Sequence, residues 1–299
     1  MMWYILDIYY LCAVAPGNAY IRTEVCSMIT IGLIGTGHMG SAIMKAADRA
    51  DLPTRFLLSD VRREAAESLA ALLKHAAKAA GNEDAVRESD LLFLAVKPQN
   101  MKALLSSLSP VFAERKRTEE VRPLTVVTMA AGVTIGSILQ FIGHEFPVIR
   151  IMPNTPIDVG RGAIGYTLSH VDGKTADCFR ALLKDDALLA EVPEEKLDAV
   201  CALSGCGPAF VYLMIRGMAK AGESLGLSPE DAEKLASKTV EGAAGMVLSG
   251  KGTPTDLKNA VATPGGATIE GVKRLEDGGF EALLGEALSA SYHRTLELR

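Results

Sequence analysis

The stretch "ITIGLIGTGHMGSAI", residues 29–43, decides the fold. An apolar run ending at Ile34 meets Gly35-x-Gly37-x-x-Gly40, and an amphipathic pattern begins at once behind it. In such an order the first glycine makes a tight turn, the second lets a pyrophosphate approach the backbone, and the third allows close helix packing. The stretch reads as the strand, loop and helix that open a dinucleotide-binding unit. The alternative is a glycine-rich turn of purely structural purpose.

Downstream, apolar strands alternate with helical patterns. Strands are expected at 30–34, 56–59, 91–96, 124–129 and 148–151, and helices at about 38–50, 62–73 and 133–141. That alternation is the mark of a parallel, doubly wound α/β sheet. The charged segment 114–122 (ERKRTEEVR) is expected to be a solvated loop or frayed helix end. After residue 192 strand signals cease, and helices are expected at 208–225, 229–248, 254–261, 267–276 and 280–297. Two of them open with Ser228-Pro229 and Thr253-Pro254, an N-cap followed by proline at the first helical position. The expected organisation is an N-terminal extension (1–28), a Rossmann-type dinucleotide-binding domain (29–192) and an all-helical domain (193–299).

The chain has 299 residues, 48% of them apolar, and a formal charge of −5. An acidic balance without a dense Lys/Arg tract argues against nucleic acid or an anionic membrane as partner. Five cysteines without a C-x-x-C pair suggest a reducing cytoplasm rather than a disulfide framework. The longest uncharged run, 199–215, falls short of the roughly 20 residues that span a bilayer, so no transmembrane helix is expected. Residues 1–27 superficially resemble a secretory leader, but no Lys or Arg precedes Arg22 and Asp7 interrupts the apolar region, which favours a start at Met28. Ala209–Ile215 (AFVYLMI) is apolar around its whole circumference, and a second subunit is the simplest cover for it.

Asp60, at the end of the second expected strand, is placed to accept the ribose hydroxyls of NADH. Arg62 and Arg63 follow and could pair with a 2′-phosphate, in which case NADPH would also bind, or the segment could be an ordinary solvated helix start. Lys97, after the 91–96 strand, is either a catalytic cation or a loop tie. The turn Arg150–Pro156 carries Asn154 in a structural or a substrate-side role. Ser204–Ala209 resembles a binding loop at a helix start, with Cys206 a packing residue rather than a nucleophile. The five histidines show no metal-ligand spacing and read as isolated, with only His38 near a cofactor. Late in the chain, Thr263-Pro264-Gly265-Gly266 opens directly into a helix carrying Thr268, and such an opening holds an anion.

Taken together, the glycine loop, "LLFLAVKPQ" (91–99), "AAGVTI" (130–135), "MPNTP" (152–156), "SGCGPAF" (204–210) and above all "LKNAVATPGGATIEGVKRLEDGGF" (257–280) resemble the pyrroline-5-carboxylate reductase family. The resemblance runs from about Met28 to the C-terminus. It implies a Rossmann domain followed by a helical oligomerisation domain, a homodimer or assembly of dimers, and reduction of a cyclic imine to L-proline by NADPH or NADH. It also implies a cofactor lining of Ile34, Gly35, Thr36, Gly37, His38, Met39, Gly40, Asp60, Asn82, Ala95, Val96, Lys97, Pro98, Met129, Ala130 and Ala131. On the substrate side it implies Glu194 and Thr268, the latter on the ring nitrogen, with N–H groups of Gly265, Gly266 and Ala267 on the carboxylate. Cys206 and Ala260 depart from the serine and asparagine common in that family. Asp60 stands where NADPH-preferring relatives carry Ser or Asn.

Two other readings compete. A dehydrogenase of the 6-phosphogluconate-like superfamily would need a G-x-x-x-K-x-x-x-N helix, which the sequence after residue 170 lacks. A non-catalytic dinucleotide sensor would have no need of the 262–270 loop.

Overall fold

The computed structural model describes residues 28–118 and 123–298. β1 (Ile29–Ile34) is buried at all six positions, as a central strand covered on both faces must be. Along the chain follow α1 (His38–Arg49), β2 (Thr54–Ser59), α2 (Arg63–Ala70), β3 (Ala76–Ala79), α3 (Asn82–Glu88), β4 (Leu91–Leu94), α4 (Pro98–Arg117), β5 (Thr125–Thr128), α5 (Ile135–Ile142) and β6 (Val148–Pro153). Then come β7 (Gly162–Ser169), α6 (Gly173–Leu183) and β8 (Ala187–Glu191). The eight strands form one sheet of order β3-β2-β1-β4-β5-β6-β7-β8.

β1 to β6 run parallel, whereas β7 is antiparallel to β6 and β8 follows β7 in parallel. The expected all-parallel sheet is therefore corrected at one edge. A short 3-10 turn, Thr155–Val159, returns the chain directly beside β6, and a connection that short can only make an antiparallel neighbour. Successive side chains of a strand serve opposite faces. Leu91 and Phe93 of β4 enter the core under α1, α2 and α6. Leu92 and Leu94 enter the core under α3, α4 and α5.

The charged segment after residue 113 is also corrected. α4 continues to Arg117, and Arg115 is buried, its Nη2 donating to the Ser89 carbonyl at 2.8 Å. Residues 119–122 of that segment, and the leader-like residues 1–27, lie outside the described residues.

Beyond the sheet, a 3-10 turn at Glu194–Lys196 enters α7 (Leu197–Val200) and then a π-helical turn, Cys201–Gly205. The remainder is α8 (Gly207–Ser224), α9 (Pro229–Leu248), α10 (Pro254–Val261), α11 (Ala267–Asp277) and α12 (Phe280–Leu296). Ser228 and Thr253 cap α9 and α10 by accepting from the N–H groups of Asp231 and Asp256, as expected of Ser/Thr N-caps. α8 and α9 form a hairpin whose own core is only Ala219, Ala232 and Ala236 beside Ile215. α12 runs back to the sheet domain, where Thr295 meets Cys201 and Leu298 lies against Gly132. The helical run Glu194–Ser224 is, by length and composition alone, apolar enough to cross a membrane, contrary to the expectation drawn from its uncharged core.

Candidate active site

In this strand order β1 has β2 and β3 on one side and β4 onward on the other. The carboxyl ends of β1 and β4 therefore bound the crevice in which doubly wound sheets take their ligands. The glycine loop lies at that switch point, and each glycine has its own physical reason. Gly35 has φ +102°, and a Cβ there would stand 2.8 Å from the Ala95 carbonyl oxygen. Gly40 lets α1 approach the loop, since a Cβ would stand 2.2 Å from the Gly35 oxygen. Gly37 is different: a Cβ there would meet nothing within 4 Å. It faces open space at the start of α1, caps that helix without a side chain, and leaves room for a phosphate over the first-turn N–H groups. The residues present fit a dinucleotide.

Asp60 follows β2. Its Oδ2 accepts from the Thr36 N–H at 2.8 Å and the Thr36 hydroxyl at 3.0 Å, and its Oδ1 from the Arg62 N–H at 3.0 Å. Burial alone would raise this carboxyl, but the hydrogen bonds from Arg62 and Thr36 hold it below its ordinary value. Asn82 begins α3 beside it, its Oδ1 accepting from the Ser59 hydroxyl at 2.6 Å. Ala95 packs on Gly35 and Gly40, and Lys97 is an exposed residue capping α4 ahead of Pro98. Met129, Ala130 and Ala131 lead from β5 toward α5. His38 is the exposed first residue of α1.

Glu194 has a demanding local role. Its Oε1 accepts from the Ile135 N–H at 2.7 Å and from Arg150 Nη1 at 3.0 Å, while Arg150 Nη2 reaches Asp198 at 3.3 Å. Arg150 and Asp198 are both almost wholly inaccessible. The segment from Arg150, expected to be a polar turn, is corrected: it is strand β6 to Pro153, and its arginine is the buried tie between the sheet and the first helical turns. Asn154 is also a tie, with Nδ2 donating to Ser204 at 3.1 Å and Oδ1 accepting from the Ala163 N–H at 2.8 Å. Both ends of its amide are engaged within the protein.

The Ser204–Ala209 loop is the π-helical turn and its exit, closed by the Cys206 N–H donating to the Cys201 carbonyl at 2.8 Å. Burial pushes the Cys201 thiol up, away from the thiolate. His75 is not isolated, since its Nδ1 lies 2.9 Å from Asp48. A buried arginine has the same letter as a solvated one, so the sequence does not mark Arg115 and Arg150 as organising residues.

The loop at 263–266 is a helix opening as read. Gly265 has φ +77° and Gly266 is the N-cap of α11. The Gly266 N–H donates to the Thr263 carbonyl at 3.0 Å, so the turn itself engages one of the three groups expected to hold a carboxylate. Ala267 and Thr268 are the first two helical residues, whose N–H groups have no intrahelical partner. Thr268 is exposed, and α11 packs against α12 rather than against the dinucleotide crevice. One chain thus brings together residues expected at the cofactor, whereas the main packing partner of α11, which carries Thr268, is α12.

Exposure of α8 has the same direction. Tyr212 and Leu213 are 59% and 58% exposed, and only Ala219 of that helix is buried.

The family model described as pyrroline-5-carboxylate reductase dimerisation matches residues 194–298, and the model of coenzyme F420-dependent NADP oxidoreductase matches residues 30–116. The chain is 37% identical over 280 residues to pyrroline-5-carboxylate reductase of Glycine max, covering 90% of this chain and 96% of that protein. It is 34% identical to the same enzyme of Pseudomonas aeruginosa, with equal coverage. Among solved structures, pyrroline-5-carboxylate reductase of Coxiella burnetii superposes with a TM-score of 0.78 at 30% identity, covering 90% of this chain and 98% of that one. The Plasmodium falciparum enzyme with NADP bound gives the same TM-score and coverage at 26% identity. The chain belongs to the pyrroline-5-carboxylate reductase family.

Proposed function

We propose that this protein reduces 1-pyrroline-5-carboxylate to L-proline with NAD(P)H, the last step of proline biosynthesis. The observation that carries the reading is a second open helix start, at 265–268, suited to an anion, on a chain whose glycine loop fits a dinucleotide. A sensor or a simple nucleotide-binding domain has no use for both.

A ring nitrogen that is protonated makes the adjacent carbon electrophilic, so the protein must orient more than it must activate. NAD(P)H supplies the hydride that this carbon receives. Thr268 holds the ring nitrogen through its hydroxyl, and the backbone at Gly265, Gly266 and Ala267 receives the carboxylate. Because the Gly266 N–H is turned into its own loop, Gly265, Ala267 and the helix dipole carry most of that task, the dipole contributing roughly 0.3–2 kcal/mol. Glu194 acts by fixing the start of α5 beside the nicotinamide-side loop, and any contact with substrate falls to its other oxygen.

The working unit in this reading is a homodimer or assembly of dimers. Residues 29–192 form the cofactor unit and residues 193–299 the helical unit, which a second copy covers along α8 and whose Thr268 loop faces the cofactor crevice of that copy. The apolar run at 194–224 is accordingly an intersubunit helix rather than a lipid-facing one. The free cysteines Cys178, Cys201 and Cys206 suit the cytoplasm, and the acidic balance leaves nucleic acid and membrane without a role.

Purified protein is expected to consume NADH or NADPH only when 1-pyrroline-5-carboxylate is supplied, with L-proline formed in equal amount. Cofactor binding without proline formation would refute the reading.

A further inference from the structure

We propose that this protein selects NADH over NADPH, and that Asp60 is the selecting residue, taking a free ribose 2′-hydroxyl and excluding a 2′-phosphate. The proposal rests on the reductase reading above and concerns the nucleotide half of the same site.

The Asp60 carboxylate is fixed in place. Two donors from Thr36 occupy Oδ2, and the Arg62 N–H takes one position on Oδ1. A carboxylate offers about four lone-pair positions, so one remains on Oδ1, suited to a hydroxyl that donates. A phosphate oxygen has no proton to give. A phosphate monoester carries about −1.5 to −2 charges at pH 7 and would stand against an anion that cannot swing aside without breaking three hydrogen bonds.

The rest of the hollow adds to the discrimination. Asp60 lines it together with Ser59, Arg63, Asn82 and Asp84. Asp84 is held in its own turn by the Gly81 N–H at 3.3 Å, so a second carboxylate shares the hollow. Arg63, the cation in that lining, is already paired with Glu67 at 2.9 Å and is 79% exposed. Arg62 contributes its N–H to Asp60, and its charge helps hold that carboxyl below its ordinary value. An exposed guanidinium gains little from pairing with a phosphate in water, and neither arginine is fixed by three hydrogen bonds as the Asp60 carboxylate is. Asn82, whose carbonyl end is engaged by Ser59, can donate to hydroxyl or phosphate alike and does not discriminate. The Plasmodium falciparum relative was solved with NADP bound; the proposal sets the present chain apart from it.

Calorimetric titration of the full chain with NADH and with NADPH, at one ionic strength and without imine, reads the preference directly. NADH is expected to bind about tenfold tighter or more, each tenfold corresponding to about 1.4 kcal/mol. Asp60→Ser is expected to move the ratio of the two dissociation constants about 10–100-fold toward NADPH. Equal or tighter binding of NADPH by the unaltered protein overturns the proposal, as does a ratio that Asp60→Ser leaves unmoved. If the variant fails to fold, titration of the unaltered protein with AMP and 2′,5′-ADP makes the same distinction, with tighter 2′,5′-ADP binding as the overturning result. Absence of binding by either dinucleotide would overturn the reductase reading as well, and so separates the two failures.

Discussion

The sheet domain and the helical domain solve the problem of burial in opposite ways. β1, β4, β5 and β6 are buried at every position, and the sheet has a filled core on each face. In the helical half, α10 and α11 bury no residue, and α8 keeps Tyr212, Leu213 and Met214 in the open. The first half is a finished object within one chain. The second carries exposed apolar side chains along α8 and matches a dimerisation model, as one side of an interface does. In the proposed reading the helix start at Thr268, which lies in the unfinished half, supplies the chemistry, so that catalysis would be tied to assembly and cofactor binding would not.

The largest break in that contrast should come from Leu213→Asp. On an ordinary exposed surface such a change is worth within about 0.5 kcal/mol. In an apolar interface it should abolish assembly and reduce imine turnover at least about 100-fold, while dinucleotide binding by the sheet domain survives. Light scattering and turnover together check this outcome, and an assembled, active variant would erase the distinction between the halves.

Next in size is Arg150→Met, at the seam. It takes a guanidinium from buried Asp198 and one donor from Glu194. Breaking a buried pair from one side costs about 3–5 kcal/mol, which denaturant unfolding should register. A loss below about 1 kcal/mol would mean that the seam does not depend on this tie.

Much of the contrast is legible in the sequence, and the rest is hidden for identifiable reasons. α9 and α10 have the expected bounds because Ser or Thr followed by proline marks their starts. β1 and β4 announce themselves as continuous apolar runs. β3 does not: it is Ala-Ala-Lys-Ala at a sheet edge, with no residue buried and little intrinsic strand propensity. β7 is interrupted by Gly162 and Gly165, and the second is required because a Cβ would stand 2.7 Å from Val200. That requirement comes from a residue 35 positions away and leaves no periodic trace. At the site, the glycine loop and the 263–268 opening are local and were readable. The roles of Asp60, Asn154 and Arg150 depend on partners 24, 50 and 48 residues distant, which only the folded chain reveals.

Smaller is Thr268→Val, which keeps shape and removes the hydroxyl. Loss of one hydrogen bond in the transition state predicts a fall in kcat/KM of about 10–100-fold, or roughly 1.4–2.7 kcal/mol. Assembly and dinucleotide affinity should not change. Unaltered kinetics would remove Thr268 from the chemistry and leave the helix start as an anion site only.

The smallest effect belongs to the sheet domain alone. Burial favours neutral Asp48, yet the N–H groups of Lys74 and His75 and the His75 ring together hold it below its ordinary 3.8. A depressed folded value means stability that is present above about pH 3.8 and lost as pH falls through that lower value. Asp48→Asn should therefore flatten the acid limb of the unfolding curve. An acid limb identical in the variant would show that Asp48 carries none of this dependence.

The species performing the chemistry is expected to contain more than one chain. Active-enzyme sedimentation, which follows cofactor consumption by the moving protein in the presence of imine, reports the mass of that species. A mass of at least two copies of the 31.7 kDa chain is expected. A fully active species with the mass of a single chain would contradict it.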